Sequence, residues 1–167
     1  ENESRGIRSR SRGRGSRGVS GRPQGPVAHM ETRAVLDTNV MLAAGITTNA
    51  NSPYREIIQR WISEEFTLLV SEDVIAEYAE KLLAAKKTRH ETEAILARVL
   101  LLSEVVEVRF FHLRHYPEDT DDVMFLLCAI NGEATHLVSY DPHLLDLNVF
   151  YDDFAICAPL EFLAALR

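Results

Sequence analysis

The chain has 167 residues, 46% apolar and 26% charged, with a formal net charge of −7, enough for one domain with a real core and short for two. No stretch approaches the roughly 20 apolar residues of a membrane span, and no apolar run suggests a secretory signal. Cys128 and Cys157 sit in the apolar runs LLCAI and FAICAP. They read as small core residues in the reducing cytoplasm, not as a disulfide framework or metal cluster.

Charge is unevenly distributed. Residues 1–30 carry seven Arg and two Glu, a net of +5, together with six of the eight glycines. The other eleven basic and 23 acidic residues leave the body at −12. The first segment has too little apolar surface to offset its ordering entropy and is expected to be disordered. Three readings stand for it: a basic arm for nucleic acid, a solvated linker from a longer precursor, or a partly vector-derived stretch with Met30 as the native start. One domain is expected over residues 31–167.

Ala34-Val35-Leu36-Asp37-Thr38-Asn39-Val40 reads as a buried strand that delivers a carboxylate at its C-terminal end, where ligands bind in open α/β sheets. Alone, Asp37 reads equally well as the cap of a following helix. A helix or turn is expected from Met41 to about Ala44, broken at Gly45, followed by a polar loop over 47–51. Ser52-Pro53 then starts a helix with Tyr54, Ile57, Ile58 and Trp61 on one apolar face. A second buried strand spans Phe66–Val70. Ser71 caps the next helix, with Glu72 and Asp73 in its positive first turn and Val74, Ile75, Tyr78 and Leu82 on one side, to an end near Lys86. Thr88 and Glu91 have capping-box spacing and open a helix through Ile95, Val99 and Leu102.

Val105–Val108 reads as a third strand. A helix over 120–131 ends with Gly132 just past it. Strands at His136–Tyr140 and Phe154–Cys157 follow, and Pro159 opens a last helix. Strands alternating with helices predict an α/β fold: three layers, α/β/α, around a mostly parallel sheet of about five strands.

Four acids stand where this arrangement can bring them together. Asp37 ends the first strand, Glu77 lies two turns into the helix after the second, Asp121 or Asp122 opens the helix after the third, and Asp141 ends the fourth. Glu77 interrupts an apolar face instead of lying opposite it. Carboxylates crowded into one cleft repel and take up protons unless a cation is present. All-oxygen ligation selects Mg²⁺ or Mn²⁺, and such a metal can activate water and steady a phosphodiester's charge. The competing reading for each acid alone is a helix cap or a solvated side chain. His112, His115, His136 and His143 show no metal-ligand spacing. A phosphatase of the haloacid dehalogenase type would need an Asp where Asn39 stands. No Walker loop or GxGxxG follows a strand.

LDTNV at 36–40, SEDVIAEYAEKL at 71–82, DTDDVMFLLCAINGEATHLVSYDPHLL at 119–145 and APLEFLAAL at 158–166 together resemble a PIN domain over about residues 32–166. The likeness is strongest to PIN proteins of type II toxin–antitoxin pairs, the VapC-like toxins. It implies a metal-dependent endoribonuclease that leaves a 5′-phosphate and a 3′-hydroxyl, with an antitoxin as a possible partner. By position, Asp37, Glu77, Asp122 and Asp141 are the four acids that hold Mg²⁺ or Mn²⁺. Asp122 is preferred to Asp121 because the family acid lies seven residues before a small helix residue, here Ala129. Asn39, Ser139 and Asp121 are supporting positions. Tyr140 departs from the pattern, standing where relatives often have Gly or a short residue. The rival class is a non-catalytic PIN scaffold that binds RNA or a protein. An acidic body is a poor surface for RNA, so a homodimer is expected, with Trp61, Leu83, Leu96 and Leu100 in excess of one core's needs. Lys86, Lys87 and Arg89 at the hairpin bend are expected to contact phosphates, although a solvated bend fits them as well.

Overall fold

The computed structural model describes residues 31–47, 49–85 and 87–167. The Arg-rich segment 1–30 and Lys86 lie outside the described residues, so the readings made for them are not addressed by it. The elements run β1 (Arg33–Leu36), α1 (Thr38–Ile46), α2 (Pro53–Ile62), β2 (Thr67–Val70), α3 (Glu72–Ala84), α4 (Arg89–Leu102) and β3 (Glu104–Val105). A 3₁₀ turn (Thr120–Asp122) leads into α5 (Val123–Asn131), then β4 (His136–Val138), α6 (Pro142–Leu145), a second 3₁₀ turn (Asp146–Phe150), β5 (Ala155–Cys157) and α7 (Pro159–Ala165).

The five strands form one sheet in the order β3-β2-β1-β4-β5, with every neighbouring pair parallel. Ala34, Val35, Leu36, Leu68, Leu69, Val70, Leu137 and Val138 are all fully buried. Both faces of the sheet are therefore covered, which explains why the strands read as continuous apolar runs. This is the expected three-layer α/β/α architecture. The chain steps outward from β1 through β2 to β3, then returns to lay β4 on the other side of β1. The order reverses between β1 and β4, and their C-terminal ends flank the crevice that such a reversal opens.

Several local expectations needed correction. β1 stops at Leu36, because Asp37 already acts as N-cap and accepts from the Asn39 N–H. α1 runs through Gly45 to Ile46, and the Gly45 carbonyl accepts from Lys87 Nζ at 3.0 Å. The third strand is a two-residue edge at Glu104–Val105 instead of 105–108. Trp61 is in the core at 3% exposure, its indole N–H donating to the Leu102 carbonyl, and is not spare surface for an interface. Gly132 sits at φ −88°, and it is Glu133 that takes the positive φ of 49°. Close packing explains the glycine: an added Cβ would lie 2.8 Å from Val106 Cγ2 and 2.9 Å from the Cys128 carbonyl oxygen.

Candidate metal and catalytic centre

The register of β1 against β4 builds the centre. Leu36 pairs with Val138, and the Asp37 N–H donates to the Val138 carbonyl at 2.9 Å, so the next residues out, Asp37 and Ser139, lie side by side. Ser139 Oγ donates to Asp37 Oδ2 at 2.7 Å and accepts from the Asp141 N–H at 3.0 Å. One buried hydroxyl thus ties two of the four expected acids together. Asp37 Oδ1 accepts from the Asn39 N–H at 3.3 Å, and Asp141 Oδ1 caps α6 by accepting from the His143 N–H at 2.9 Å. The competing cap reading is therefore correct for Asp37 and Asp141, but it uses only one oxygen of each.

Asp122 differs. It is the N-cap of α5 by position, yet its side chain makes no capping bond. Its Oδ2 is buried without a hydrogen-bond partner among the described residues. Burial, followed by the charges of Asp37, Asp119, Asp141 and Asp121, pushes its carboxyl up to about 6. Burial also raises Asp37 against the pull of the Ser139 hydroxyl and the Asn39 N–H, and the Asp141 charge adds to the rise. The Asp37 and Asp141 charges therefore both act on Asp122, and that of Asp141 acts on Asp37. Asp121 is exposed, with its N–H on Asp119 Oδ1 at 2.9 Å. It shares an open cleft with Glu77, Asp73 and Glu80. Glu77 lies 3.6 Å from Lys81 Nζ. The structure thus sets Asp37 and Asp141 together at the C-terminal ends of β1 and β4, with Asp122 near enough for both charges to act on it, and sets Glu77 with Asp121 in the adjoining cleft. Lys87 is engaged on α1, and Arg89 pairs with Glu93 at 2.7 Å.

These residues fit a divalent cation. The partnerless Asp122 oxygen and the upward-shifted pair are what a carboxylate cluster shows when positive charge would relieve it. Among the described residues no group of three or more His, Cys, Asp or Glu side chains is arranged to hold a metal ion by itself. Mg²⁺ ordinarily takes one or two carboxylates and keeps several waters, so an open, all-oxygen set suits it.

No curated protein matches the sequence at a significant level. A family model described as the PIN domain matches residues 33–143, a span that includes all four acids. The chain belongs to the PIN domain family. Its fold is similar to that of a chain of VapBC2 from Rickettsia felis, solved bound to a DNA fragment from their promoter. There the TM-score is 0.52 at 15% identity, over 76% of this chain and 98% of that one. It is also similar to PAE2754 from Pyrobaculum aerophilum, with TM-score 0.54 and 16% identity over 81% of this chain and 89% of that one. At such identities the likeness concerns the fold alone.

Three side chains of this PIN domain's centre were not singled out from the sequence. Asp119 caps the 3₁₀ turn and adds its charge to Asp122; the crowded DTDD run was its signal. Tyr78, fully buried, donates its hydroxyl to the Leu36 carbonyl and so anchors the strand exit just before Asp37. Tyr54 packs edge-on to Tyr140. The sequence marks Tyr54 and Tyr78 only as members of apolar helix faces. Among the described residues no helix is long and apolar enough to cross a membrane.

Proposed function

We propose that this PIN domain is a Mg²⁺- or Mn²⁺-dependent endoribonuclease and the toxin of a toxin–antitoxin pair. The observation that carries the reading is the buried, partnerless Asp122 oxygen beside Asp37 and Asp141, at the point where the strand order reverses. Asp37, Asp122 and Asp141 would hold the ion, and Glu77 would hold it or orient water from the adjoining cleft. When bound, the ion supplies Lewis-acid stabilisation of a phosphodiester's charge and makes water acidic enough to attack at neutral pH. Asp37 is kept in place by the Ser139 hydroxyl and by backbone N–H groups, so its carboxylate needs no reorganisation to receive a cation. Asn39 and Ser139 are positioning residues, and Asp121 adds negative charge next to Asp122. The sequence likeness to PIN toxins supports an antitoxin partner, and the similarity in fold to a chain of the VapBC2 assembly is consistent with it.

An end-labelled single-stranded RNA incubated with millimolar Mg²⁺ or Mn²⁺ tests the reading. The native protein should cut it to 5′-phosphate products and EDTA should stop the reaction. Asp122→Asn should abolish cleavage with the fold intact, and Asp121→Asn should be milder. Undiminished cleavage by Asp122→Asn would overturn the assignment. RNA that is bound in Mn²⁺ but never cut would instead leave the non-catalytic scaffold.

A further inference from the structure

A cleft of about 430 Å³ opens beside the acid centre, lined among others by Asn39, Leu42, Thr47, Asn49, Tyr54 and Tyr140. Its size is ordinary for a small-ligand site. Two of its walls are continuous with the acids. The Asn39 N–H holds Asp37 Oδ1, and the Asn39 side chain lines the cleft. Tyr140 lies between Ser139 and Asp141, whose own bond, at 3.0 Å, fixes the backbone on either side of it.

The Tyr140 ring meets Tyr54 edge-to-face, with centroids 5.8 Å apart and planes at 68°, yet Tyr140 remains 44% exposed. Other aromatics are as exposed, among them Phe111 at 67% and Tyr116 at 57%; what sets Tyr140 apart is its place in the wall of a cleft next to the acids, where its bare face is open to a flat group that can stack on it. Asn39 and Asn49 offer amide donors and acceptors at the rim, suited to the edge of a heterocycle. Asn49 keeps its place through its own turn, accepting from the Asn51 N–H at 3.0 Å.

We propose that this cleft is a nucleobase subsite: it takes one unstacked base of a single-stranded RNA, on the face of Tyr140, next to the phosphate presented to the acids. The inference rests on the nuclease reading in taking RNA as the polymer, and it adds the place where one base is held, a base that must be unstacked because one inside a duplex has no free face to offer.

The test uses a fluorescein-labelled RNA octamer, with Ca²⁺ in place of Mg²⁺ for binding and Mg²⁺ for cleavage. Each base is replaced in turn by an abasic residue and binding is read by anisotropy. One position should stand out, where loss of the base weakens binding roughly tenfold, the range of base–aromatic stacking. The penalty should persist in Tyr140→Phe and vanish in Tyr140→Ala. A penalty that survives Tyr140→Ala, or no base-dependent position in the native protein, overturns the subsite, even if the octamer is cut in Mg²⁺ and the nuclease reading stands. A Tyr140-dependent position on an octamer that is never cut supports the subsite and overturns the nuclease reading alone.

Discussion

Of Asp37, Asp122 and Asp141, only Asp122 caps no helix, and its carboxyl sits at about 6 against an ordinary 3.8. Between those values the metal-free native state binds more protons than the unfolded chain. The associated stabilisation is therefore whole below about pH 3.8 and lost as pH rises through about 6. Asp37 is shifted in the same direction and adds to the loss. Exposed Glu91, Glu104 and Glu107 are shifted downward by their partners and act in the opposite sense. The cleanest measure is therefore a difference. In EDTA, the Tm of Asp122→Asn minus that of the native protein should grow from pH 4 to pH 7, and a constant difference would contradict the assignment. Ser139 gives a second prediction at this scale. Ser139→Ala removes a buried hydroxyl bonded both to Asp37 and to the Asp141 N–H, which should cost about 2–3 kcal/mol in urea unfolding. A loss below about 0.5 kcal/mol would mean that the Asp37–Ser139–Asp141 link contributes little.

Elements whose cues are local were the legible ones. Thr88 and Glu91 form the expected reciprocal capping box of α4, Ser71 caps α3, and the apolar runs became β1, β2, β4 and β5. Misread elements depend on distant partners. α1 survives Gly45 because it packs against α2 and α3, a tertiary gain that outweighs a propensity cost of about 1 kcal/mol. β3 is a two-residue strand at the edge of the sheet, paired with β2 alone. Asp122 could be chosen over Asp121 from the family pattern, but its missing cap and buried oxygen are three-dimensional facts. Gly132 shows the same limit: the sequence marks a helix end, whereas Leu69, Val106 and the Cys128 carbonyl make a side chain there untenable. Gly132→Ala should destabilise by about 1–3 kcal/mol, since the carbonyl belongs to α5 and cannot swing aside. Equal thermal stability of the variant would show that the α5–β4 corner is looser than its distances imply.

For the whole molecule, an acidic body around a cluster of carboxylates should be relieved by cations. Millimolar Mn²⁺ should raise the Tm by mass action, and Asp37→Asn should shrink the gain; no shift in the native protein would count against the site. Leu83, Leu100 and Leu101 are exposed on the α3–α4 hairpin, Leu101 at 81%, and an apolar surface of this kind suits pairing. A homodimer through that hairpin is expected by light scattering at micromolar concentration, and a monomer would rule it out. Replacing Lys86, Lys87 and Arg89 together with Ala should weaken RNA binding and flatten its salt dependence without altering the Mn²⁺ shift. An unchanged salt slope would remove the hairpin bend from the RNA path. The β1–β4 seam has a further consequence, in time. Asp37 and Ser139 are 102 residues apart in the chain, and chains emerge N-terminal first. β1 and β2 leave the ribosome long before β4 does, and until β4 is made Asp37 has neither its hydroxyl partner nor Asp141 beside it. On the proposed nuclease reading, the acid centre cannot form on the nascent chain until most of the domain has been made.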